Sequence, residues 1–488
     1  MNKTFPIFII LIFSLISTAQ DKKKVDIRNA DYTYINSEKH PDYWRLIGNV
    51  NIFHNETNMF CDSAYYFSEN EKIIAFNNIK ITKGENLNLF GEKLNYDGEN
   101  NLAVISSNVL FKNSVSQLTT NELKFNLKEN IIYYNTKSRI IKENQDIRSN
   151  IGSYNLEEEK YEFSDSVTFS SEKYLLKTNK LITYENNNNA KLIGPSYIYF
   201  DDKTIFCNEG YITKNSAEFF NNTSITTNDI KIASDSMYYD EIKKSILTLG
   251  NVILTDTINN LLIHSNEAVF LEVEEKMTFK KDPCLKLMSK NDTLTVYSKI
   301  FESYSNKGET TVHAKSNVEF FNTDLIGKCD SLYYSSYDSS ITLYDEPIIW
   351  IDEYQIFSDT ILINYFDKKI NKLFLISNPL IISKNDSLEY NQIKGKKMIG
   401  SFKDNKLKNI QVLGNGQSLY YLNESDKTIG LNYLESSYIT LVFKDKKINN
   451  INYEVIPHSK TSPIDEIKKN DRYLKGFKWK IDEKPEIK

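Results

Sequence analysis

Acidic side chains recur at matching places along this chain, and paired carboxylates are the groups that perform acid–base chemistry on sugars. These acidic positions are Asp62, Glu92, Glu209, Asp235, Asp330 and Asp359. A catalytic pair is needed once, whereas this position recurs through the sequence and is often Asn, which cannot ionise. We therefore expect these side chains to cap turns or to form a ladder between strands.

Other patterns typical of catalysis or metal binding are absent from the sequence. No GxSxG nucleophile motif, Gly-rich phosphate loop, CxxC or calcium-binding GGxGxD repeat occurs. The histidines lie in neither HExxH nor any other metal-ligand spacing, and they are His40, His54, His264, His313 and His458. The sequence thus predicts no enzyme, no cofactor and no metal site.

The cysteines are Cys61, Cys207, Cys284 and Cys329, and an even number in an exported protein ordinarily suggests disulfides. Three of them, at 61, 207 and 329, occupy the same small-residue position of a repeat, five and nine units apart. Bridged Cα atoms must lie within about 7 Å of each other. We therefore predict free, buried thiols.

The repeat becomes visible when CDSAYY at 61–66 is aligned with CDSLYY at 329–334. Each copy has a small residue, usually an acidic residue or Asn, a polar residue, an apolar residue and, two places later, an aromatic or aliphatic one. The copies begin at Cys61, Gly91, Thr120, Ser149, Thr178, Cys207, Ser234, Ser265, Ser298, Cys329, Ser358 and Gly395. A period of about 30 residues indicates a repeat architecture rather than several unrelated domains.

A second set of positions keeps step with the first and predicts corners, because Gly and Asn tolerate the backbone angles of tight turns. These corners are Gly48–Asn49, Asn77–Asn78, Ser107–Asn108, Gly250–Asn251, Ser316–Asn317 and Ser377–Asn378. Each unit is therefore predicted to run strand, corner, strand, turn, strand.

Apolar positions in the first set alternate with polar ones, which places them on one face of a sheet. We predict that they form an apolar inner wall of 12 rungs, roughly 55 to 60 Å long at the usual strand spacing. The candidate wall residues are Ala64, Tyr66, Leu94, Tyr96, Leu123, Phe125, Tyr154, Leu181, Met237, Tyr239, Phe270, Leu332, Tyr334, Ile361 and Ile363.

Composition favours an almost all-β protein, since the chain contains 32 Tyr and 27 Phe, with abundant Ile, Val and Thr. The formal net charge is −5, which becomes −6 if Lys3 is removed with a signal peptide, and the basic residues are scattered. This distribution predicts no nucleic-acid partner.

The N-terminus reads as a cleaved signal peptide over residues 1–19, with an apolar stretch too short to span a membrane. The mature chain would begin at Gln20, and no Cys follows the apolar stretch to suggest a lipid anchor. Residues 20–45 are predicted to form an edge strand or cap, 46–455 the repeat array, and 456–488 a tail with a short helix and an anchoring Trp479.

The repeats resemble those of the OstA-like family of periplasmic lipopolysaccharide-transport proteins. The resemblance rests on GNVNIFHNETNMFCDSAYYFSENEKIIAFNNIKI at 48–81, on SNVLFKNSVSQLTTNELKFNLKENIIYYN at 107–135 and on SDSMYYDEIKKSILTLGNVIL at 234–254. It implies an open β-jellyroll or folded-over sheet whose apolar groove shields the acyl chains of lipid A during transport to the outer membrane.

The same resemblance implies a periplasmic location, from which the protein could associate with the outer membrane. The implied partners are lipopolysaccharide, inner- and outer-membrane transport components that pair with the strand edges, and further copies joined head to tail. The chain has more rungs than the short bridge proteins of the family, and no transmembrane-barrel pattern follows residue 400.

Two other classes remain open on the sequence. A structural or adhesive surface solenoid would have a closed apolar core, and a polysaccharide-processing β-helix enzyme would have a local polar cleft. A lipid carrier needs an open apolar groove, so the state of the inner wall distinguishes the three.

Overall fold

The computed structural model describes residues 24–36, 40–84, 87–187, 189–289, 292–306, 308–366, 369–403, 405–424, 427–456 and 458–486. The predicted signal peptide lies outside these residues. The chain divides into a first unit, residues 1–172 with 182–186, and a second unit, residues 173–181 with 187–488.

Antiparallel strands make up most of the described chain, which confirms the prediction of an all-β, repeat-built fold. The first nineteen strands are β1 (Asp26–Asn29), β2 (Tyr32–Asn36), β3 (His40–His54), β4 (Thr57–Phe67), β5 (Lys72–Lys83), β6 (Leu87–Asp97), β7 (Leu102–Lys112), β8 (Ser116–Asn126), β9 (Ile131–Tyr134), β10 (Ser138–Lys142), β11 (Gln145–Ser149), β12 (Ile151–Asn155), β13 (Lys160–Ser170), β14 (Leu175–Tyr184), β15 (Ala190–Tyr199), β16 (Thr204–Ile212), β17 (Ser216–Thr226), β18 (Ile230–Asp240) and β19 (Ser245–Asp256).

The remaining strands belong to the second unit. They are β20 (Leu261–Leu271), β21 (Lys276–Lys280), β22 (Cys284–Met288), β23 (Thr293–Tyr297), β24 (Ile300–Asn306), β25 (Glu309–Phe321), β26 (Ile326–Ser335), β27 (Ser340–Tyr344), β28 (Ile348–Ile351), β29 (Tyr354–Phe357), β30 (Thr360–Phe366), β31 (Lys369–Ile376), β32 (Leu380–Asp386), β33 (Glu389–Lys394), β34 (Lys397–Lys403), β35 (Lys406–Glu424), β36 (Lys427–Lys444), β37 (Lys447–Glu454) and β38 (His458–Pro463).

Both ends of the described chain fold onto their neighbouring strands. The short strands β1 and β2 pair antiparallel with β3. At the other end, β38 pairs with β36. Three 3-10 helices follow, at Ile464–Glu466, Lys469–Arg472 and Ile481–Glu483. The described residues contain no helical segment with the length and hydropathy needed to cross a lipid bilayer.

Strands β3 to β8 form a meander in which each strand pairs with the next. Each sequence repeat therefore contributes two neighbouring strands to the sheet. Ala64 pairs with Ala75, which in turn pairs with Leu94, so two predicted wall residues are separated by an intervening strand. The predicted wall length of roughly 55 to 60 Å was wrong for this reason, because it allowed one strand spacing per repeat.

The predicted corners are confirmed as β-bulges, where two residues on one strand lie opposite one on its neighbour. Between β3 and β4 the register shifts so that Gly48 and Asn49 lie opposite Asp62. Both residues of all six predicted corner pairs have positive φ. Five further pairs have the same geometry: Asp165–Ser166, Asn221–Asn222, Lys281–Asp282, Asp345–Glu346 and Gly414–Asn415.

The corners fold each long strand so that its two halves face each other across an apolar interior. In the first unit, the buried His54 ring contacts the hydroxyl of Tyr96, which lies on the opposite half of the fold. In the second unit, Leu254 and Ile263 on one half share a hydrophobic cluster with Phe279 on the other. This is the folded-over sheet that the sequence predicts.

Candidate apolar binding site

The acidic positions hold the corners. At three corners, the Asn side-chain Nδ2 donates a hydrogen bond to an Asp carboxylate on the adjacent strand: Asn78 to Asp62 at 2.8 Å, Asn251 to Asp235 at 2.9 Å and Asn378 to Asp359 at 2.9 Å. At a fourth, the Asn317 backbone N–H donates to Asp330 at 3.3 Å. The expected turn-capping role is confirmed at these positions. These hydrogen bonds connect the acidic position of the repeat to the Asn of a corner.

Gly250 gives a direct test of this corner geometry. Its φ is +74°, and a Cβ added there would lie 2.3 Å from Oδ2 of Asp235. Gly250→Ala is expected to lower the free energy of unfolding by about 1 to 2 kcal/mol, because the backbone there is left-handed. The clash of the new Cβ with the Asp235 carboxylate, which accepts the Asn251 hydrogen bond, should add to this loss. Gly84→Ala is the matched control, since its φ of +59° is similar but nothing lies within 4 Å. Urea unfolding curves of both variants measure the difference in stability. Equal losses of stability would contradict a close contact between residue 250 and the Asp235 carboxylate.

The fifteen predicted wall residues face the interior of their own units. In the first unit, Ala64, Tyr66, Leu94, Tyr96, Leu123, Phe125 and Tyr154 are buried. In the second unit, Leu181, Met237, Leu332, Tyr334, Ile361 and Ile363 are buried, whereas Tyr239 and Phe270 are only half-buried. Most of the wall is therefore packed core, and the solvent-accessible part lies near residues 239 and 270.

A cavity of about 650 Å³ in the second unit brings Met237, Tyr239 and Phe270 together. One side is a cross-strand row in which Ile205 pairs with Ile225, Ile225 with Ile232 and Ile232 with Leu254. The facing row pairs Ile212 with Ala217, Ala217 with Tyr239, Tyr239 with Ile246 and Ile246 with Phe270. The two rows are almost entirely apolar. The first row crosses four neighbouring strands and the facing row crosses five, for roughly 20 Å.

Small side chains explain why the interior opens at this place. A third row of the cavity runs from Phe219 and Met237 to the small side chains of Thr248 and Ala268. The same row then continues with Phe279 and Phe301. Those two phenylalanine rings are fully buried and fill the space between the halves. The cavity therefore ends where large side chains replace small ones, as close packing requires.

Charged residues surround the mouth of the cavity. The Tyr239 hydroxyl donates to the Glu241 carboxylate, which also forms an ion pair with Lys244. Burial, followed by this hydrogen bond, raises the pKa of Tyr239 to about 12, so its hydroxyl stays neutral at physiological pH. The Lys244 ammonium lowers the pKa of the Glu241 carboxyl. The lining thus combines an apolar interior with charged groups of both signs at its edge, namely Lys173, Asp202, Lys203, Lys214, Glu241, Glu272 and Glu275.

The four cysteines are free and buried in the structure. Burial raises the pKa of Cys61, Cys207 and Cys329 to about 12 and also raises that of Cys284. We expect none of the thiols to react with a chromogenic disulfide reagent at pH 8 in the native protein, because the thiolate is the reactive form. All four should react after denaturation without reductant. Detection of only two or fewer would reveal a disulfide and contradict the assigned positions.

Sequence comparison finds a family likeness in the N-terminal third of this chain. Residues 22–179 match the family model described as OstA-like protein. This part of the chain is similar to that family. The OstA-like segment contains the predicted wall residues from Ala64 to Tyr154, whereas the cavity lies almost entirely beyond it, between residues 173 and 305.

Solved structures give weaker likenesses. LptH from Pseudomonas aeruginosa, the LptA-homologous periplasmic component of the conserved lipopolysaccharide transport device, aligns over 28% of this chain and 93% of its own at 8% identity and a TM-score of 0.22. The WD40 domain of SCAP from fission yeast aligns over 87% of this chain and 98% of its own at 9% identity and a TM-score of 0.11. TM-scores this low do not establish a shared fold. No curated protein matches the chain.

Proposed function

We propose that this protein is a non-catalytic lipid carrier that shields lipopolysaccharide acyl chains during transport across the periplasm to the outer membrane. The OstA-like match over residues 22–179 supports a role in lipopolysaccharide transport. The observation that carries the finer assignment is the apolar cavity lined by Tyr239, Phe270 and the isoleucine row. We assign lipid contact to Met237, Tyr239 and Phe270, which line this cavity. The other predicted wall residues could contact lipid only if the two facing halves of the folded sheet moved apart.

The chemistry of the cavity suits an acyl chain. Its volume of about 650 Å³ is in the roughly 300–1,000 Å³ range of small-molecule sites. Burial of apolar surface contributes about 25 cal/mol per Å², and the lining would let each methylene of an acyl chain leave water. The charged edge near Glu241 and Lys244 would stay in contact with the polar headgroup and solvent.

The partners in this proposal are lipopolysaccharide and the inner- and outer-membrane transport components, joined through unpaired strand edges. Strand β2 supplies one such edge, and its Tyr32, Tyr34 and Ile35 side chains are exposed. Head-to-tail association of copies through the same edges remains part of the proposal.

The competing candidate is a structural surface solenoid. The packed interior around Phe279, Phe301 and Phe320 favours it, because these rings leave no space for a ligand. An enzymatic role has less support, since the repeated carboxylates are engaged in corner hydrogen bonds.

Lipid co-purification separates the two candidates. The protein would be isolated without detergent from cells that make lipopolysaccharide, and its organic extract would be examined by mass spectrometry. The carrier should retain lipopolysaccharide in amounts comparable with the protein. A folded protein, verified by circular dichroism, that carries no lipid would favour the structural solenoid.

A further inference from the structure

The outer face of the later strands carries a second apolar surface, on the side of the sheet that faces away from the folded interior. Its floor is formed by Leu380, Ile382, Leu419, Tyr421 and Leu431, all of which are buried. The C-terminal tail, residues 464–486, covers this floor with Ile464, Ile467, Leu474, Phe477 and Trp479. Strands β29 and β32 are therefore buried on both faces.

Two glutamines on this outer face bind the backbone of the tail. The Gln355 side-chain amide donates to the Lys478 carbonyl at 2.6 Å and accepts from the Lys480 N–H at 2.8 Å. Gln392 repeats the arrangement, donating to the Arg472 carbonyl at 2.9 Å and accepting from the Leu474 N–H at 2.7 Å. Each amide thus engages the carbonyl of one residue and the N–H two places later.

The two glutamines occupy one row across the strands. Gln355 pairs with Ile382, which pairs with Gln392, so the amides lie two strands apart, at roughly 10 Å. Both glutamines have no exposed surface. Leu474 packs against the apolar floor between the two glutamines. The tail turns at this residue, where the Phe477 N–H donates to the Leu474 carbonyl at 3.0 Å.

Aromatic and charged side chains contribute further contacts between the outer face and the tail. The Tyr390 ring lies 5.2 Å from Phe477 and 5.1 Å from Trp479, measured between ring centroids. The Lys394 ammonium donates to the Lys475 carbonyl at 2.6 Å, which is another backbone contact. The amide and ammonium contacts from Gln355, Gln392 and Lys394 are directed at the main chain, as in sites that take peptides by their backbone. Ion pairs add contacts to charged side chains of the tail, from Lys328 to Glu483 and from Glu346 to Lys478 and Lys480.

We propose that this outer face, defined by Gln355, Gln392 and the apolar floor, is a peptide-binding groove, and that the chain's own tail is its occupant. Each amide satisfies two backbone groups of the tail that an apolar side chain would leave buried without a partner. Amides that match backbone groups two residues apart make a site that a peptide segment can enter and leave. Covalent attachment keeps the tail at an effective concentration in the millimolar range, so it shields the groove.

The test uses the full chain with a protease recognition sequence inserted after Pro463. After cleavage, the tail should remain bound on size-exclusion chromatography at micromolar concentration. A fluorescent synthetic peptide of residues 464–486 should then replace it with saturable binding. The Gln355→Leu, Gln392→Leu double variant should bind the peptide at least about tenfold more weakly. Gln417→Leu is the matched control, because the Gln417 amide donates to the Tyr433 hydroxyl on the same face.

A second peptide tests backbone recognition itself. N-methylation at Leu474 and Lys480 removes both N–H donors but keeps every side chain, and this peptide should bind at least about tenfold more weakly. Equal binding of both peptides, or no exchange of the cleaved tail, would overturn the proposal. Hydrogen exchange on the uncut protein provides an independent readout, since the Leu474 and Lys480 amides should exchange faster than those of β29. Exchange at the rate of the strands would make the tail a permanent part of the core.

Discussion

Ala217→Trp is expected to reduce the lipopolysaccharide retained by the purified protein by at least about tenfold. Ala217 lines the cavity between Ile212 and Tyr239, its partners on the two neighbouring strands. An indole at this position would occupy the space in which an acyl chain would lie, and the change introduces no charge. Mass spectrometry of the organic extract, normalised to protein, measures the loss.

Glu218→Trp is the control for this substitution. Glu218 is exposed and follows Ala217 on the same strand, so its side chain points to the opposite face. The control should retain lipid like the unmodified protein. Equal loss in both variants, or undiminished lipid in Ala217→Trp, would contradict the assignment of the cavity.

Phe320→Ala is expected to destabilise the second unit by about 3–5 kcal/mol, the usual cost of removing a buried aromatic ring. Phe320 is 1% exposed, and its Cζ lies 2.2 Å from where a Cβ on Gly327 would be. The ring fills the space that Gly327 leaves open on the paired strand, so truncation would create a cavity that the backbone cannot close.

Phe321→Ala provides a control of identical chemistry on the opposite face. Phe321 is half-buried and lies 6.0 Å from Tyr297, measured between ring centroids. Its truncation should cost less than half as much. Urea unfolding followed by near-ultraviolet circular dichroism compares the variants, and a larger loss for Phe321→Ala would reverse the assigned faces.

The repeat, the corners and the inner face could be predicted from the sequence because each is a local property repeated many times. Gly and Asn are residue types that readily adopt the backbone angles of tight turns, so Gly48 and Asn49 indicate a corner by their identity. Alternation of apolar and polar residues along β4 places Ala64 and Tyr66 on one face. The wall residues on the return strands were missed because these strands lack the CDSxYY pattern, although Ala75 belongs to the same wall. Corners at Lys281–Asp282 and Asp345–Glu346 lack the Gly-Asn or Ser-Asn pair, and the sequence indicates them only through Pro283 and Pro347 beside them.

The two binding surfaces depend on which residues pair across neighbouring strands, and this pairing cannot be read from the sequence. Ala217 and Ala268 look like ordinary small wall residues until strand pairing places them around one space. Gln355 and Gln392 look like solvent-facing polar residues, and only their common row and the returning tail give them a role. Asp62 and Asn78 are 16 residues apart, as are Asp235 and Asn251, and this repeated spacing could have revealed the Asn–Asp hydrogen bonds at the corners.

The most direct test of the carrier proposal is photo-crosslinking in cells from adjacent positions of β18. Tyr239 lines the cavity, whereas Tyr238 lies on the outer face, 5.7 Å from Phe220 between ring centroids. A photoreactive phenylalanine analogue at position 239 should capture lipopolysaccharide, and the same analogue at 238 should capture little or none. Equal capture from both positions, or no capture at 239 in a folded protein, would contradict a lipid-carrying cavity.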